Sequence, residues 1–293
     1  MRKSRQYEHK PKRSAAPGII LVLLIGVAIY FFIAGSMGKW IGENVVQPVF
    51  SFFEEGEKNE EGPIPTASDA PTDQSETTEN SEDAVTKSIN TPRITVYALQ
   101  TGAFSDAENA NTSAVLLARK GGAGYVINDG EFNRVLLSCY FGDDEAISVM
   151  TRLETEDNIV ARQHEIDISP VNIEITAKES TIETIRQGFE YIPVALENIQ
   201  VAGFSFDSYD FDECEYIIDD TATKLNGIIY ELERKTDGTN NQVVLDEIEL
   251  LKGYKSKIES IDFASNDMVA ISSKIKYTQI DMVYDYKKFI DGL

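Results

Sequence analysis

Gly18 to Met37 reads GIILVLLIGVAIYFFIAGSM, twenty positions without a charge. At about 1.5 Å rise per residue that run matches the roughly 30 Å hydrocarbon core of a bilayer and predicts one transmembrane helix over 18–37. It exceeds the apolar stretch of about 7–15 residues in a cleaved signal peptide, and no clean A-x-A site follows it, which favours a retained anchor. The pattern then turns polar. Glu54 to Pro92 has almost no large apolar side chain and carries eleven acids against Lys58 and Lys87, so positions 38–92 are expected to form an acidic, disordered linker.

From Arg93 the apolar positions take a period of two. ITVYALQ predicts a strand, and Ser105 to Glu108 predict the capped start of a helix running through Lys120. AGYVIN and EFNRVLLSCY follow as strands about an Asn128-Asp129-Gly130 turn. Asp143 to Leu153 places Ala146, Val149, Met150 and Leu153 on one helical face, and Asn158 to Asp167 supplies a last strand. The order is β-α-β-β-α-β, the ferredoxin-like plan, over 93–167, with helices on one face of an antiparallel sheet and the other face expected open. Strict alternation along EFNRVLLSC groups Phe132, Arg134 and Leu136 on one side and Val135, Leu137 and Cys139 on the other. The second set is expected to face the helices, leaving Phe132 and Arg134 on the open face.

After Ile168-Ser-Pro170 the period becomes helical. Four stripes, beginning with Ile182, Ile185, Phe189, Ile192, Leu196 and Ile199, predict an antiparallel helical bundle over 170–293. Ser180 and Glu183 read as a capping box, and Pro193 is expected to kink or shorten the first helix. The fold class is therefore α+β: transmembrane helix, linker, ferredoxin-like domain, helical bundle.

Charge adds orientation. The tail 1–17 holds Arg2, Lys3, Arg5, Lys10, Lys12 and Arg13 against Glu8, which keeps the N-terminus cytoplasmic and places the C-terminal domains outside the cell membrane. The whole chain carries −22, so the portion after the tail is strongly acidic and nucleic acid is not an expected partner. Two cysteines, Cys139 and Cys214, are too few for a disulfide scaffold, and two separately buried thiols are the preferred reading. Only His164 lies beyond the tail, which argues against a zinc hydrolase; no nucleophile elbow is present, and no cofactor is implied. The acids Asp207, Asp210, Asp212, Glu213 and Glu215 sit at a helix start and read as a solvated cap rather than a glycan-cleaving pair. Neither a catalytic nor a metal-binding residue is assigned, and the chain is expected not to be an enzyme.

Tyr97-Ala-Leu-Gln100-Thr-Gly102-Ala-Phe104-Ser105, with Ala110 in the helix, a glycine break before Tyr125, and Phe132-Asn-Arg134-Val135 on the third strand, resembles a SPOR domain, the peptidoglycan-binding module of bacterial division and sporulation proteins. The resemblance implies binding of glycan strands stripped of stem peptides, at septa, on the helix-free sheet face. By position it implies Gln100, Ala103, Phe132 and Arg134 as glycan-binding residues; Ala103 stands where many members have Ser, and Ser138-Cys139-Tyr140 replaces the usual Gly-Pro-aromatic. The layout is similar to that of septal SPOR proteins of the stage II sporulation protein B type. The function so implied is non-enzymatic binding of septal cell-wall glycan in cell division or sporulation. Two alternatives stand beside it: a helical bundle that recruits a wall synthase or hydrolase, and a SPOR-like fold that has lost glycan binding.

Overall fold

A computed structural model describes residues 84–293; the basic tail, the expected transmembrane helix and most of the expected linker lie outside them. The described chain runs β1 (Val85–Asn90), β2 (Ile94–Phe104), α1 (Ala107–Ala118), β3 (Tyr125–Asn128), β4 (Asn133–Tyr140), α2 (Asp143–Asp157), β5 (Arg162–Ile168), β6 (Asn172–Ala177), α3 (Glu179–Asp207), α4 (Phe211–Lys235), α5 (Gln242–Glu259) and α6 (Met268–Asp291).

β2 to β5 form a four-stranded antiparallel sheet in the order β3-β4-β2-β5. Leu99, Val135 and Leu137 on one face share a core with Ala110, Ala114 and Leu117 of α1 and Ala146 and Leu153 of α2. That is the expected α+β arrangement. Asp106, rather than Ser105, caps α1 by accepting the Asn109 N–H at 2.9 Å.

The second face is not open. Ile94, Val96 and Ala98 of β2, Leu136 and Cys139 of β4, and Ile166 and Ile168 of β5 belong to one continuous core with α3 to α6. Val96, Ala98 and Leu136 are fully shielded from solvent. These side chains are too apolar to face water, and the bundle supplies the cover. α6 contributes the closest layer. Tyr125 of β3 stacks on Tyr284 with ring centroids 5.6 Å apart, tilts against Tyr277 at 4.9 Å, and donates its hydroxyl hydrogen to Asp281 Oδ1 at 3.1 Å. Gln200 of α3 accepts the Phe141 N–H at 2.8 Å, and Lys276 of α6 donates to the Gly121 carbonyl at 3.0 Å.

Cys139 also departs from the alternation. Ala98 pairs with Cys139 but Gln100 pairs with Leu136, so β4 fits an extra residue into that interval. Such a bulge inverts the facing of everything beyond it and moves Cys139 from the α1–α2 side to the bundle side. Both cysteines are free and buried.

Several expectations for the flanking segments are corrected. Val85–Asn90, within the expected linker, is a strand paired antiparallel with Asn172–Ala177, within the expected bundle. Ile89, Ile173 and Ile175 on the inner side of this ribbon are buried, while Lys87 on the outer side pairs with Glu179. Ser180 does not cap α3: the helix starts at Glu179 after Lys178, which makes no side-chain cap bond. α3 continues past Pro193 to Asp207 because Ile192, Ala195, Leu196 and Ile199 are all buried on one stripe, and this packing offsets the hydrogen bond the proline removes. Asp210 caps α4 through the Glu213 N–H, Asn241 caps α5 through Val244, and Asp267 caps α6 through Ala270. No helix among the described residues is long and apolar enough to cross a membrane.

Candidate functional site

The bundle covers the sheet face unevenly. Along β5 the side chains on this face run from Ile168 and Ile166, both buried, through half-buried His164 to exposed Arg162. Along β2 they run from buried Ile94, Val96 and Ala98 to half-buried Gln100. Burial on β4 falls in the opposite chain direction, from Cys139 and Leu136 to Arg134. One end of the sheet therefore shows a polar corner, and the residues assigned from sequence meet there.

The local backbone explains how. β2 carries a second register shift between Gln100 and Gly102; Gly102 pairs with Val135 and Ala103 with Arg134. The irregularity lets Gln100 and Ala103 share the bundle-side face while Gly102 turns toward α1. A Cβ on Gly102 would lie 2.6 Å from Phe104 Cε2, so the glycine gives the Phe104 ring room to cover the strand end. In the Gln-x-Gly-x-Phe pattern, glycine and phenylalanine shape the strand and glutamine is what it presents.

Arg134 is the centre of the corner. Its Nη1 donates to Gln100 Oε1 at 2.9 Å, its Nε donates to Asp129 Oδ2 at 2.5 Å, and its guanidinium carbon stands 5.9 Å from the centroid of the Phe132 ring. Asp129 also accepts the Phe132 and Glu131 N–H groups at 2.7 and 3.0 Å. Those backbone bonds first, and the guanidinium after them, lower the Asp129 pKa to about 2. The carboxylate thus stays ionised and ties the loop carrying Phe132 to the strand carrying Arg134. Sequence reasoning read Asp129 only as a turn residue; the tendency of Asp to bond its own backbone two and three positions on was the available signal.

His164 and Tyr284 complete the surroundings. Burial, followed by the Arg134 charge, holds the His164 pKa below its ordinary value, with Asp129 acting in the opposite sense. Burial raises the Tyr284 hydroxyl above its ordinary range, and the charges of Arg134 and Asp129 both reach it. His164 was expected as a solvated strand residue and instead lies half-buried beside the corner. Chemically, the site offers an amide, a fixed guanidinium and a partly exposed ring, which suit hydroxyl and amide groups on a ring-shaped ligand. Among the described residues no group of three or more His, Cys, Asp or Glu side chains could hold a metal ion.

The polar, aromatic corner lies on a four-stranded ferredoxin-like sheet. Residues 95–161 match the SPOR domain family. The SPOR domain is a peptidoglycan-binding domain. The chain matches no curated protein and no solved structure.

Proposed function

We propose that this chain is a non-enzymatic, membrane-anchored protein that binds glycan strands of septal peptidoglycan lacking stem peptides, in division or sporulation, through Gln100, Ala103, Phe132 and Arg134. What supports the reading is that Arg134 bonds Gln100, lies beside the Phe132 ring and pairs with Ala103 at a partly exposed end of the sheet, within the SPOR match. The Phe132 ring stacks on the apolar face of a hexosamine, and Arg134 with Gln100 bonds its substituents. Ala103 supplies a flat surface without a hydroxyl. The uncharged run Gly18 to Met37 supports the anchor, and the basic tail before it supports outward placement of the domain.

The test is co-sedimentation of the full-length protein with sacculi before and after limited amidase digestion. Digestion should raise retention of the wild type, and Phe132→Ala/Arg134→Ala should lose at least tenfold of it at an unchanged melting temperature. Equal, weak retention of both proteins on digested sacculi would sink the reading.

A further inference from the structure

Arg162 opens β5 and pairs with Gln100, which pairs in turn with Leu136 on β4. Two observations put its side chain on the face of the corner. His164, Ile166 and Ile168 follow it at steps of two, and the isoleucines lie in the bundle-side core. Gln163, one position on, instead reaches Asp143 of α2 on the opposite side at 2.7 Å. Gln100 is thus flanked by the strands that bear Arg134 and Arg162, which stand two strand spacings apart, about 10 Å.

The two guanidiniums differ in what they have left to give. Arg134 is bound to Asp129 and Gln100. Arg162 is exposed and has no ion pair or side-chain hydrogen bond among the described residues. Asp and Glu outnumber Lys and Arg in the chain by 49 to 27, yet the acids placed on this face are engaged elsewhere, Asp129 by Arg134 and Asp281 by Tyr125 and Lys257; Glu165 alternates to the other side, opposite Tyr97. An exposed guanidinium without an acid partner suits an anion held in a planar, two-pronged pair.

We infer that Arg162 binds a carboxylate on the glycan, the lactyl carboxylate that is set free when the stem peptide is hydrolysed from its amide, while Arg134 and Phe132 hold the sugar ring. This deepens the glycan-binding reading and rests on it. The same lactyl group is an uncharged amide on intact strands, so Arg162 makes the absence of the peptide something the protein recognises directly. The rest of the molecule is acidic and repels anions; short-range bonding at one residue then selects without general attraction to charged polymer.

Titration calorimetry of the full-length protein with soluble, amidase-released glycan strands tests this, using the same strands after carbodiimide conversion of their carboxylates to methylamides. The wild type should bind free-acid strands about tenfold more tightly than amidated ones. Arg162→Gln should bind both equally, at the level of wild type on amidated strands, and Arg162→Lys should recover part of the preference. A preference retained in Arg162→Gln would overturn the inference and, if Phe132→Ala/Arg134→Ala abolishes binding, leave the glycan reading standing. Unchanged wild-type affinity after amidation would overturn it as well, since the carboxylate is then not what Arg162 holds. Failure of the wild type to bind either strand would overturn both. Arg162 is an exposed first residue of a strand, and equal melting temperatures of the variants verify their folding.

Discussion

A methyl group at Gly102 would meet Phe104 Cε2 and Cζ at 2.6 and 2.9 Å, so Gly102→Ala should force the ring from its place and cost about 1–3 kcal/mol in urea titration. The companion change Phe104→Leu should return part of that loss, because the strain is between these two side chains. Glu247 on α5 presents the opposite problem. It is fully buried, neither carboxyl oxygen has a hydrogen-bond partner, and burial pushes its pKa well above the ordinary carboxylate range. The folded protein holds a proton that the unfolded chain releases once pH exceeds the ordinary value. Stability contributed at low pH is therefore lost as pH rises through that value toward the folded-state pKa. Glu247→Leu should flatten this slope between pH 5 and pH 8 and raise neutral-pH stability by about 1–3 kcal/mol, read by thermal melts across pH. At this scale the type and order of Gln100, Phe132 and Arg134 suffice to suggest them, and the structure brings the three side chains together. The Asp129–Arg134 bond, the pairing of Arg162 with Gln100 and the half-burial of His164 were not legible, since they depend on a loop closing and on which strand lies beside which.

Helices and strands with a full apolar stripe declared themselves in the sequence, and α3 to α6 each did so. β1 and β6 did not. Each is six residues long and finds its ladder partner more than eighty positions away, so the linker's acidic composition hid one and the neighbouring helical period absorbed the other. The bulge in β4 was equally silent, because an extra residue in a register is a property of two strands. What the sheet's second face would do was written in Val96, Ala98, Leu136 and Ile166, apolar residues that an open surface would not carry. The isolated segment 93–167 would expose that row. It is expected to self-associate and to bind a hydrophobic dye, whereas 84–293 should sediment as a dispersed species without dye binding; light scattering and dye fluorescence distinguish the two.

Across the described molecule, the four-stranded sheet lies between two layers of helices, and the larger layer is seated on it through α6 by Tyr125, Tyr277, Asp281 and Tyr284. That closure confines the polar corner to one end, so the SPOR segment and the C-terminal helices must be treated as a single working part. The two unpaired thiols turn this into a measurement. Cys139 sits where the sheet meets the helices and Cys214 sits inside them on α4, and both belong to the same continuous core. Burial raises the Cys139 thiol above its ordinary range and the Cys214 thiol to about 12, so neither reacts until its surroundings open. With a core that parts as one, a small alkylating reagent should label both at the same rate, set by global opening. Single-cysteine versions of the protein then act as paired clocks: a faster Cys139 would mark the sheet and helices separating on their own, and the same reading taken with glycan present would time whether the ligand holds them together.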